Sequence, residues 1–97
     1  MIRAIHFPDR ESFERYRTPG SFRLEPRTMQ GLFEFVYFCP CGCGLELRLL
    51  IGQGHKPGGA RPSWCWNGSS SAATLAPSVN HVDHWHGWPR DGYWESL

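Results

Sequence analysis

Cys39-Pro40-Cys41-Gly42-Cys43-Gly44 places three of the chain's four cysteines within five residues. Sulfurs so close along the backbone do not readily reach the Cα separation that a disulfide needs. Thiolates on a loop bent by Gly and Pro can instead converge on one soft cation. A structural zinc takes four ligands at tetrahedral angles, and this loop can supply two or three of them. The obvious source of the remainder is His81-Val82-Asp83-His84-Trp85-His86. If that stretch is extended, His84 and His86 share a face that Trp88 continues, and a His-x-His pair on a strand is a good chelate. His81 lies off that face unless the chain turns. Cys65 is a rival fourth thiolate, although its place between Trp64 and Trp66 equally suits a small buried hydrophobe. His6 and His55 have no partner pattern and read as structural or solvent-facing.

Thr74-Leu75-Ala76-Pro77-Ser78-Val79 could carry a nucleophile, with Ser78 activated by a histidine. Against this, a Ser after Pro is ordinary turn chemistry, and no G-x-S-x-G elbow is present. The sequence therefore assigns no catalytic residue.

These residues need elements to hold them. Leu32-Phe33-Glu34-Phe35-Val36-Tyr37-Phe38 is β-branched and aromatic, and Leu45 to Ile51 alternates with Leu45, Leu47, Leu49 and Ile51 on one face. A hairpin with the cysteine loop at its tip follows. Ser63–Asn67, Thr74–Val79 and Val82–Trp88 read as further strands. Pro89-Arg90-Asp91-Gly92 turns into Tyr93-Trp94-Glu95 to close a terminal hairpin. Near the start, Arg3–Phe7 reads as a short strand. Asp9 is a helix N-cap ahead of Phe13 and Tyr16, and Thr18-Pro19-Gly20 ends that helix after about two turns. Residues 18–31 read as an irregular connection, and 52–62 as a Gly/Pro-rich loop. The prediction is one domain over residues 1–97: a mainly β, small α+β fold, in which a zinc ion staples an antiparallel β domain with one short N-terminal helix.

Composition narrows the partners. Ninety-seven residues leave room for one core, small enough that a metal staple would help it fold. The net charge is +1 and the halves are balanced: six Arg against five acids in residues 1–38, four basic residues against four acids in 39–97. No basic face is visible, which argues against a duplex-binding protein. No stretch reaches the length of a membrane span, and Met1–Phe7 lacks the apolar run of a signal peptide. The crowded cysteines fit a reducing, cytoplasmic setting.

The order Cys-Pro-Cys-Gly-Cys-Gly, Arg61-Pro62-Ser63-Trp64, Thr74-Leu75-x-Pro77-Ser78-Val79, His86 and Asp91-Gly92-x-Trp94 resembles domain-of-unknown-function family 6527, a group of small bacterial and phage proteins. The likeness runs from about Phe35 to Trp94. In that family the last motif commonly reads Cys-x-x-His, which with the cysteine loop implies a four-ligand zinc site. Here Asp83 stands at the Cys position and His86 at the His position. The resemblance thus implies Zn2+ held by Cys39, Cys43 and His86, with Cys41 next. Asp83, His84 or His81 could compensate for the missing thiolate. It further implies either a phage origin or a link to bacterial ubiquitin-like conjugation systems.

Three functions are compatible with these readings. The first is a non-enzymatic module whose structural zinc shapes a surface for a host or phage protein, since four protein ligands leave no open position for water. The alternative is a hydrolase or peptidase acting in a ubiquitin-like system. That would need an open zinc position, or Ser78 or Cys65 in reach of His84 or His86. The last is a zinc-ribbon-like nucleic-acid binder that stacks exposed Trp on bases, which the near-neutral charge disfavours. The sequence favours the first and leaves the oligomeric state open.

Overall fold

The computed structural model describes residues 2–97. Two sheets face each other across an aromatic core. The larger has the order β2-β3-β4-β5-β6, and the smaller β1-β9-β8-β7. The central hairpin is β3 (Leu32–Phe38) and β4 (Glu46–Gln53), with Phe35 opposite Leu49 and Phe38 opposite Glu46. Its inward residues Phe35, Tyr37, Leu49 and Ile51 join Phe22, Trp66, Leu75, Val79 and Trp94 in the core. Leu45 lies outside the strand and is exposed, so the inward face of β4 starts at half-buried Leu47. Trp94 closes the interior from the small sheet. Its indole N–H donates to the Gly20 carbonyl at 2.7 Å, satisfying a donor that burial would otherwise leave costly.

Several elements differ from their sequence reading, among them the strand expected over Val82–Trp88, which is found at Trp85–Arg90. Within the segment expected to be irregular lies β2 (Phe22–Pro26), paired antiparallel to β3. The N-terminal strand is short, β1 (Ile2–Arg3), and it joins β9 (Tyr93–Ser96). Thr74–Val79 is two strands, β6 (Leu75–Ala76) in the large sheet and β7 (Val79–His81) in the small one. Pro77 has no N–H to give a ladder, so the chain leaves one sheet there and enters the other, with Ser78 at the crossing point. Helix α1 (Arg10–Tyr16) forms where Asp9 caps it, the Asp9 carboxylate accepting from the Ser12 N–H at 2.8 Å. Phe13 packs it onto Phe38, with ring centroids 4.5 Å apart.

Strand β5 (Ser63–Trp66) runs parallel to β4, and the 54–62 loop makes the crossover. Arg61 holds that loop down, donating to both carboxylate oxygens of buried Glu34 at 2.8 and 2.7 Å; Arg27 donates to the same group at 2.7 Å. Strand β8 (Trp85–Arg90) pairs with β7 on one side and β9 on the other. Gly87 on β8 is required by close approach. A Cβ there would run into the Glu95 carbonyl oxygen and come within 2.7 Å of the Trp85 ring. Among the described residues no helix is long and apolar enough to cross a membrane.

Candidate functional site

The cysteine loop sits at the tip of the β3–β4 hairpin. Its base is closed by the Cys39 N–H donating to the Leu45 carbonyl at 3.0 Å, and its turn by the Gly42 N–H donating to the Cys39 carbonyl at 3.1 Å. Gly42 and Gly44 take φ of 88° and 84°, left-handed values that a side chain would strain. Arg17, just past α1, lies over the Phe38 ring and donates to the Gly44 carbonyl at 2.8 Å, tying the helix to the loop. Cys39 is buried, whereas Cys41 and Cys43 are exposed.

The tip of the β7–β8 hairpin reaches this loop. Residues 81–84 form a turn closed by the His84 N–H donating to the His81 carbonyl at 2.9 Å, with Asp83 left-handed at φ 67°. The turn stacks the His81 and His84 rings, with centroids 4.2 Å apart and planes 7° off parallel. His81 Nδ1 lies 3.1 Å from Cys39 Sγ, and His84 Nδ1 lies 3.5 Å from Cys41 Sγ. One donor atom from each of Cys39, Cys43, His81 and His84 falls within 4.8 Å of the others. Ligand atoms around a tetrahedral zinc stand about 3.3–3.8 Å apart, given bond lengths of about 2.0–2.3 Å. The residues present therefore fit a four-coordinate cation.

The protonation chemistry agrees with the donor set. Burial, the largest influence, pushes the Cys39 thiol up to about 12, so a bound cation would have to displace its proton. Burial first, and then the neighbouring His84, lower His81 and favour the neutral imidazole that ligates metals. The hydrogen bond with His84, followed by that from Cys39, brings the Cys41 thiol down to about 6. Cys41 Sγ is 3.2 Å from Cys39 Sγ, making it a fifth donor beside the group of four.

His86 lies elsewhere. Along β8, Trp85, Gly87 and Pro89 face the core, and His86, Trp88 and Arg90 face outward. The left-handed Asp83 breaks the extended geometry that would have put His84 and His86 on one face. His84 consequently joins the thiols at the turn, while His86 stands on the outer face of the small sheet. There its Nε2 is 3.1 Å from Ser78 Oγ. Both partners are held by backbone. The Ser78 carbonyl accepts from the Trp64 indole N–H at 3.1 Å, and the His86 carbonyl accepts from the Leu97 N–H at 2.9 Å. A serine hydroxyl donating to a neutral imidazole at this distance can lose its proton to that nitrogen as it attacks an electrophile.

Of the residues read from the sequence as metal ligands, the structure brings Cys39 and Cys43 together with His81 and His84. It sets Cys41 at their edge and separates His86 from them. Cys65 lies on β5, outside the group. The spacing His81-x-x-His84 is itself a chelate signal, and it becomes effective once the chain turns. The Ser78–His86 pair has no comparable signature, because the two residues meet only through the register of β7 on β8.

A family model described as "Bacterial ubiquitination-like system serine protease (BubE)" matches residues 9–97, and the chain belongs to that family. No curated protein and no solved structure matches it. The match corrects the resemblance to domain-of-unknown-function family 6527. The phage origin which that resemblance implied loses its basis, and the link to bacterial ubiquitin-like systems now rests on the family itself.

Proposed function

We propose that this chain is a serine peptidase of a bacterial ubiquitin-like modification system, with Ser78 as nucleophile and His86 as its general base. The observation that carries the reading is the 3.1 Å contact between Ser78 Oγ and His86 Nε2, on an outward face open to a polypeptide. In this mechanism Nε2 takes the hydroxyl proton as Oγ bonds to the carbonyl carbon of the scissile peptide. The same imidazolium then protonates the departing amine, leaving an acyl-Ser78 ester. Water, activated by His86, hydrolyses that ester and restores the serine.

The cysteine–histidine cluster complements this chemistry. Cys39, Cys43, His81 and His84, with Cys41 alongside, would hold Zn2+ as a cross-link between the two hairpin tips. A zinc closed by four protein ligands supplies stability and no open position for water. The non-enzymatic binding module thereby gives way to an enzyme with a structural metal.

The test is labelling of the purified protein by a fluorophosphonate, with peptide mapping, alongside hydrolysis of a ubiquitin-like protein fused to a reporter. Ser78 should carry the label. Ser78→Ala should abolish labelling and cleavage without moving the melting temperature. His86→Ala should slow both by about 1,000-fold or more. Cleavage by the Ser78→Ala protein at the wild-type rate would refute the assignment.

A further inference from the structure

The outward face of the small sheet continues past the reacting pair. The ladder pairs Val79 with Gly87 and Asn80 with His86, so one step beyond it Ser78 stands opposite Trp88. Directly opposed residues on one face have Cβ atoms about 4.5–5.5 Å apart, and Trp88 is also two residues from His86 on the same strand and face. Continuing that register, Trp88 shares the outward face of the hairpin with Ser78 and His86. It is braced there. The Arg90 guanidinium lies over the indole at 4.3 Å from the ring centroid, and Arg90 in turn donates to the Glu95 carboxylate at 3.2 Å. Glu95 is the β9 residue opposite Trp88. A cation–π contact closed by an ion pair restrains the ring on that face.

Resting on the serine reading above, we propose that Trp88 is the specificity-determining wall of this site, confining cleavage to extended polypeptides whose scissile carbonyl belongs to a residue with a short side chain. A carbonyl carbon in reach of Ser78 Oγ brings its own residue against the indole, where a more open surface would offer a pocket. A bulky side chain must then displace the braced ring or pull its carbonyl away from Oγ, and a misplacement of about 1 Å at the reacting atoms costs about 100-fold in rate. Arg90 and Glu95 are positioning residues, acting through Trp88.

The experiment compares two peptidyl diphenyl phosphonates that differ only in the residue bearing phosphorus, an alanine or a phenylalanine analogue. Ser78 Oγ bonds to phosphorus, phenoxide leaves, and the serine proton passes through His86 to solvent. Intact-mass spectrometry reads the labelling rate of the full chain. The wild type should react with the alanine probe at least about tenfold faster. Trp88→Ala should bring the ratio below about threefold, with a small alkyl fluorophosphonate still labelling Ser78. Should that variant fail to fold, Trp88→Leu and Arg90→Ala should each shift the ratio at least about threefold toward the phenylalanine probe. A wild-type ratio near one, or a ratio unchanged in the folded variants while the fluorophosphonate still labels Ser78, overturns the wall and leaves the serine standing. Absence of fluorophosphonate labelling at Ser78 in the wild type overturns both.

Discussion

Removing the metal should cost this chain a calculable share of its stability. Cys39 and His81 are 42 residues apart in sequence and adjacent in space. Holding them together closes a loop that the unfolded chain would otherwise explore freely. The chain-entropy relation for a cross-link of that span gives about 4 kcal/mol. For a domain of this size each kcal/mol moves the melting temperature by about 4–8 °C, so the shift is about 15–30 °C. Scanning calorimetry with and without a strong chelator, and on Cys39→Ser, should show it. Metal content, measured on the same samples, should fall from one ion per chain to none. Labelling of Ser78 should fall too, because His86 is two residues from the His84 anchor. A melting point lowered by less than about 5 °C after verified metal loss would refute the cross-link calculation. Labelling that survives chelation in the folded protein would show that the β7–β8 ladder places His86 without help from the turn.

Two further outcomes test the framework around the site. The hydrogen bonds from Arg61, chiefly, and from Arg27 hold the Glu34 carboxyl below the usual carboxylate range despite burial. A depressed carboxylate contributes stability above its unfolded pKa and loses it as the pH falls through the folded value. Glu34→Gln should therefore lower stability near pH 7 by about 1.5–3 kcal/mol, a range discounted because both arginines are half-exposed. The gap should shrink toward pH 3, and denaturant midpoints that differ equally at both pH values would contradict it. Cys65→Ser should cost under about 1 kcal/mol and leave metal stoichiometry unchanged; loss of the ion would make Cys65 a ligand.

The central hairpin was legible because a β-branched, aromatic run and an alternating one flank a glycine-rich loop. The cysteine loop pointed to a candidate metal site through crowding alone. Strand β2 was hidden because Phe22-Arg23-Leu24-Glu25-Pro26 lies among prolines and glycines, and its charged members are buried or paired within the sheet. Arg23, which is buried, donates to Glu25 at 3.1 Å, and Arg48 on β4 donates to the same carboxylate at 2.8 Å. The histidines were misplaced for a different reason. Period-two reasoning assumes that a strand continues, and one left-handed residue, Asp83, ends that continuity. A non-glycine residue at positive φ is uncommon enough that sequence pattern gives little warning of it.

The Ser78–His86 pair is the hardest part to read and the one that depends most on the rest. Ser78 and His86 are eight residues apart and lie on an exposed face, where nothing in their own burial fixes them. What fixes them is the hairpin beneath, tied at both ends. At the closed end the His81–His84 turn meets the cysteines. At the open end Trp64 holds the Ser78 carbonyl, and the Leu97 amide holds that of His86. Between those ends Val79 and Gly87 set the register, Val79 by burying its side chain in the core and Gly87 by having none to keep β9 away. The alignment comes from setting Ser78 just ahead of β7 and His86 on β8, in a hairpin whose register a single-residue slip would destroy. Precision at Oγ and Nε2 is thus a property of the ladder and its anchors, and it should be lost wherever either end comes loose.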